Sequence, residues 1–294
     1  MRNLWTLGGL SLPELLRRTA RESWNDDVFG QGGRMAFYHF LAIFPSLLLF
    51  MAVCTRVPHF GEQMKHALGE LSGQMMPGQV SHLLTEMTGE VNQRSRFGLG
   101  LISLAAAAIW AALNGTWAMI AGLNVAYEVK EHRDWRRMAV TIAGMTLSLA
   151  VAGSVAVFLI FCTAYLQVRL HGGAIALHAL EWLVVAGTLS LSFALLYRYA
   201  PSLPDPAWRW STPGAVAALV LWIGSTLGAR IYFNHVNNYA ISYGRLNGAV
   251  MLLLWLYVSN SAILIGGEMN SEIEKAAAGS NNKSAANQRR RNPA

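Results

Sequence analysis

Five stretches of the chain carry no Asp, Glu, Lys or Arg: Met35–Thr55, Phe97–Tyr127, Met138–Val168, Ser211–Ala229 and Leu246–Gly267. They run to 21, 31, 31, 19 and 22 residues. About 20 predominantly apolar residues cross a bilayer core as a helix, so each has the length of a span. A sixth run, Trp182–Tyr197, has 16 residues. It reaches span length when Glu181 sits among the headgroups and the helix continues to Tyr199. The pattern predicts an all-α polytopic membrane protein whose six transmembrane helices lie at about 35–55, 97–122, 139–166, 180–199, 212–233 and 247–267.

The polar remainder divides into three parts. Residues 1–34 form an amino-terminal segment in which "SLPELLRRTARESWNDD" sets Ser11 three residues before Glu14, a capping-box spacing. Leu12, Leu15, Leu16 and Thr19 follow on one side of that predicted helix. Such a helix lies either on the inner leaflet, its arginines against anionic headgroups, or packed against the rest of the protein. The long loop 56–96 contains "PGQVSHLLTEMTGEV", where Val80, Leu83, Leu84 and Met87 share a helical face. After the membrane domain at 35–270, residues 271–294 form a basic tail that is small and polar from Ala277, and disorder is expected there.

Composition supports this division. Charged residues make up 13% of the chain and hydrophobic ones 53%, against roughly 25% charged in soluble domains. With six spans, one face collects 16 of the Lys and Arg residues and the other 7. The positive-inside rule then puts both termini in the cytoplasm. That placement, rather than a nucleic-acid partner, accounts for the net charge of +7. Cys54 and Cys162 both fall in apolar runs and read as small packing residues. Leu4–Leu16 is interrupted by Pro13 and followed by Arg17, Arg18 and Arg21, unlike a cleavable signal.

Polar residues within spans are costly and mark candidate sites. Asn114 and Asn260 lie inside the second and sixth spans. Each reads either as an amide bridging two helices, worth roughly 0.6–2 kcal/mol, or as a substrate contact. His39 reads as a packing histidine. Gly224 and Gly228, in "GSTLG", make a close-packing face that could serve self-association. Arg56 and Arg230 close spans on the outer side, where long side chains reach lipid phosphates. Glu128 and Glu268 lie at the inner rim, each near an asparagine, Asn124 and Asn270. A rim carboxylate is a solvated helix end, a partner for a loop arginine, or a ligand for a coupling ion, and Arg133 joins these asparagines and carboxylates as a candidate substrate, ion or helix-bridging group. No GxSxG, HExxH, P-loop or GxGxxG is present, so no enzyme, metal or cofactor is expected.

"FGQGGRMAFYHFLAIFPSLLLF", "GLNVAYEVKEHRDWRR", "TPGAVAALVLWIGSTLGARIYF" and "YGRLNGAVMLLLWLYVSNSAILIGGEMN" together resemble the YihY/virulence factor BrkB family of bacterial inner-membrane proteins, once labelled ribonuclease BN. The likeness covers roughly Asp26 to Glu274. Its signature positions here are Pro45, Asn124, Tyr127, Arg133, Pro213, Gly214, Tyr243, Gly244, Trp255, Tyr257, Gly267, Glu268 and Asn270. It implies six spans with both ends inside, a multi-pass protein of the inner membrane, and a link to envelope integrity and lipid movement. Of the positions, Gly244 suits a tight turn and Pro213 a helix's first turn. Three functions follow in order of preference: a transporter-like protein for a lipid or amphipathic substrate, a non-transporting envelope scaffold, and a ribonuclease. The expected partners are membrane lipids, such a substrate and a second copy of the chain.

Overall fold

A computed structural model describes residues 4–54, 99–169, 174–203, 212–235 and 246–291. The loop helix expected within 56–96, along with Arg56, Tyr243 and Gly244, lies outside these residues. Every regular element among the described residues is helical. After a 3-10 turn at Leu4–Gly9 come α1 (Leu12–Asn25), α2 (Val28–Cys54), α3 (Leu99–Ala126), α4 (Trp135–Arg169), α5 (Ala174–Tyr199), α6 (Pro213–His235) and α7 (Leu246–Arg291).

The long helices follow the apolar runs, because a backbone in hydrocarbon must satisfy its own N–H and C=O groups. Ile102–Ala126, Trp135–Ala156 and Gly248–Gly279 are long and apolar enough to cross a membrane, and Leu183–Tyr199 and Pro213–Ala229 are shorter apolar helices. The side chains confirm where oil belongs. Along α4, Val140, Leu147, Val151, Val155 and Phe158 are each at least half exposed, an apolar outer surface far larger than water tolerates. Pro45 sits inside α2, where its ring removes one backbone hydrogen bond.

The packing has a centre. α7 touches the 3-10 turn, α1, α2, α3 and α6, while α2 lies along α3 and α4 along α5. The main core joins Met35 of α2, Ile120 and Leu123 of α3, Leu196 and Tyr197 of α5, and Leu264 of α7. Leu15 of α1 docks with Met269 and Ile273 of α7.

Two expectations differ from the structure. α1 forms as predicted but Ser11 makes no side-chain cap. Glu14 instead accepts a 2.8 Å hydrogen bond from Arg18, one turn on. Its buried stripe is Leu15, Thr19 and Ser23, while Leu12, Leu16 and Trp24 stay at least half exposed. The tail expected to be disordered from Ala277 is helical to Arg291, continuing α7. Alanines at 276–278 and at 285–286 favour that continuation, alanine being the strongest helix former.

Candidate functional site: a buried polar segment of the central helix

From Gly266 to Ile273, α7 is buried on every side. A helix so enclosed is ordinarily apolar all round. This stretch reads GGEMNSEI, with Glu268 0%, Asn270 1%, Ser271 3% and Glu272 6% exposed. Buried polar groups without partners cost about 1–3 kcal/mol each, so each needs a reason to be there.

Asn270 has one. Its Oδ1 accepts the Gly214 N–H at 2.9 Å, and its Nδ2 donates to Thr212 Oγ1 at 2.9 Å. The first N–H groups of a helix lack intrahelical acceptors, and here a side chain from α7 caps α6. The contact requires close backbones. A Cβ on Gly214 would strike the Gly266 carbonyl oxygen, and one on Gly266 would strike that of Gly214. The Tyr197 hydroxyl donates to the Ile263 carbonyl at 2.7 Å, fastening α5 to the same place.

Asn124 and Arg133 form a second fastening. α3 ends in a Schellman motif: Val129 N–H bonds to the Asn124 carbonyl and Glu128 N–H to that of Val125. Asn124 Nδ2 donates to Glu131 at 2.9 Å, and its Oδ1 accepts the Ser202 N–H at 2.8 Å. Arg133 pairs with Glu131 at 2.6 Å and donates to the carbonyls of Tyr199 and Ala200 at 3.1 and 2.8 Å. A cation at the carboxyl end of α5 complements its dipole. The Arg133 guanidinium holds the Glu131 carboxyl down at about 2. Glu131 went unmarked by sequence reasoning. Its only signal is its place two residues before Arg133.

The interior polar residues divide. His39 Nδ1–H donates to Asn260 Oδ1 at 3.0 Å, joining α2 to α7, and Gly115 of α3 makes room for the imidazole. Asn114 donates to the Trp110 carbonyl of its own helix at 2.7 Å. Thr116 and Thr146 meet at 2.7 Å between α3 and α4, and Trp255 Nε1 donates to Thr226 at 3.1 Å. Tyr127 is buried in the main core, Tyr257 faces Gly33 across the α2–α7 contact, and Gly267 lies against Leu123. Pro213 opens α6, which also carries Arg230.

Glu268 is the exception. Neither carboxylate oxygen has a hydrogen-bond donor, and Asp26 Oδ2, Thr19 Oγ1, Ser23 Oγ and Gln31 Oε1 are likewise buried and unpartnered. Asp26, at the junction of α1 and α2, brings its carboxyl against that of Glu268. Burial raises the Asp26 carboxyl above its usual range, and the charge of Glu128 pushes the same way. The cation that acts on this pair, Lys275, is shared with two other carboxylates, lying 2.8 Å from Glu128 and 2.9 Å from Glu272. Asp27, next in the chain, holds φ +50°, as Glu128 holds φ +51°. These are left-handed conformations that side chains rarely adopt. Asp26 carries no motif, so sequence reasoning missed it; only the antiparallel register of α2 on α7 reveals it.

The family model for virulence factor BrkB matches residues 19–291. The chain belongs to that family. Among its relatives, a ribonuclease-like protein named YfkH from Bacillus subtilis (strain 168) is 29% identical, the match covering 83% of this chain and 90% of the relative. The UPF0761 membrane protein PSHAa0171 of Pseudoalteromonas translucida (strain TAC 125) is 22% identical over 84% of this chain and 81% of its own. A UPF0761 membrane protein of Alteromonas mediterranea (strain DSM 17117 / CIP 110805 / LMG 28347 / Deep ecotype) is 24% identical over 85% and 84%. No solved structure matches the chain. The UPF0761 relatives are named as membrane proteins.

Proposed function

We propose that this BrkB-family chain crosses the bacterial inner membrane six times, with both ends cytoplasmic, and moves a lipid or amphipathic envelope substrate. One observation carries the reading: Glu268, wholly buried in the central helix, has no donor on either oxygen. Asn260 and Asn270 are satisfied by neighbouring helices, as structural residues are. An unsatisfied carboxylate in a membrane helix stabilises nothing, and such residues belong to transport pathways. The apolar outer faces favour a substrate that approaches from the bilayer. Purified protein in liposomes carrying a fluorescent phospholipid tests this directly. Translocation should exceed that of empty liposomes and fall at least about tenfold in Glu268→Gln. No translocation above the empty vesicles would reject the reading.

A second reading, the envelope scaffold, draws on α6. Cβ atoms added to Gly224 or Gly228 would meet nothing within 4 Å, so this small-residue face is open for another helix. Cysteines placed there should crosslink copies of the chain in membranes if it self-associates. The name of YfkH points to a third reading. Purified protein that cleaves RNA, and loses cleavage on Glu128→Gln and Glu268→Gln, would establish it.

A further inference from the structure

We propose that Asp26 and Glu268 form an exchange site for one small monovalent cation, a proton or Na+, held between the α1–α2 junction and the centre of α7. Two apposed carboxylates, Glu268 wholly buried and Asp26 with its Oδ2 buried, cannot both stay ionised without a counter-charge. The groups that face them supply too little. Glu22 on α1 and Glu128 after α3 are acidic, and the one basic group acting on the pair, Lys275, divides its single charge between them and its contacts with Glu128 and Glu272.

The two elements that meet at Asp26 carry further buried oxygens without partners: Thr19 Oγ1 and Ser23 Oγ on the buried face of α1, and Gln31 Oε1 on α2. Thr19 and Ser23 are each 3% exposed and Glu268 is 0% exposed. Hard cations take oxygen ligands, and two apposed carboxyls can share a single proton. The site sits at a strained junction, Asp27 being left-handed with its Oδ1 accepting the Gly30 N–H at 3.2 Å.

This goes beyond the transport reading, and its test needs no substrate. Full-length protein in nanodiscs is unfolded thermally, with tryptophan fluorescence as the signal, from pH 5 to 9 in sodium-free choline buffer. Na+ is then titrated at pH 9 at constant ionic strength. A carboxyl raised above its unfolded value stabilises fully at low pH and loses that stability as pH climbs through the folded value. The wild-type midpoint should drop by several degrees as pH rises. Recovery with Na+ identifies sodium as a ligand, and no recovery identifies the proton alone. Glu268→Gln and Asp26→Asn should each flatten the dependence, while Glu131→Gln, whose carboxyl titrates below this window, keeps it. A wild-type midpoint indifferent to both pH and Na+ overturns the site. So does an undiminished dependence in either pair variant that folds. If neither folds, 22Na+ binding and proton uptake on mixing wild type into unbuffered solution decide, and absence of both overturns it.

Discussion

At the scale of single residues, helix caps separate strain from function. Glu128 occupies the position after α3 that glycine usually fills, with φ +51°. Glu128→Gly relieves a left-handed side chain, worth about 1–3 kcal/mol, and gives up an ion pair to Lys275 that is half exposed and worth at most about 1 kcal/mol. A net gain of about 1 kcal/mol in thermal unfolding is expected, and a loss would show the ion pair to be worth more. Glu131 gives the opposite pH behaviour to Asp26. Its folded value of about 2 lies below the ordinary 4.5, so its contribution is complete above that ordinary value and fades as pH falls toward 2. Glu131→Gln should therefore lower stability at pH 7 and make the acid limb below pH 5 shallower. An unchanged limb would mean that the Arg133 contact is lost in solution.

At the scale of elements, glycines report which helix faces touch. Gly266 and Gly214 meet backbone to backbone, whereas a Cβ on Gly153 of α4 would meet nothing within 4 Å. Gly266→Ala should cost about 1–3 kcal/mol through overpacking. Gly153→Ala should gain up to about 1 kcal/mol from helix propensity. Equal effects in detergent unfolding would deny the α6–α7 contact. Asn270→Ala should weaken the start of α6, because the Gly214 N–H loses its acceptor and Thr212 Oγ1 keeps only the Ala215 N–H. Amide exchange at residues 212–216 measures it. The helices themselves were legible in the charge-free runs, since hydrophobicity over a span length needs no partner to be recognised. The contacts between them were not. "GGEMN" shows two glycines and an asparagine, but their fit to Gly214 and Thr212 depends on which helix lies alongside.

At the scale of the whole molecule, the lysines and arginines make the prediction. Of the 23, 16 fall on the face that also holds both termini in the six-span arrangement, so reporter fusions at either end should both read cytoplasmic. Ends on opposite faces would remove one span, with Trp182–Tyr197 the first suspect. α7 gives this scale its meaning. It is both a membrane-length helix and the post around which α1, α2, α3 and α6 gather.

Membrane character and helix placement were therefore already present in the order of the residues, because water and hydrocarbon sort side chains by local composition alone. The roles of the polar groups came from neighbours distant in the chain. Asn270, Asn124 and Asn260 look alike as letters, yet packing makes them a cap, a loop clasp and a helix bridge. Glu268 resembled a solvated rim carboxylate until α1 and α2 closed over it beside Asp26. Whether a charge is wet, paired or stranded is set by what surrounds it in space, and adjacency along the backbone carries no record of that.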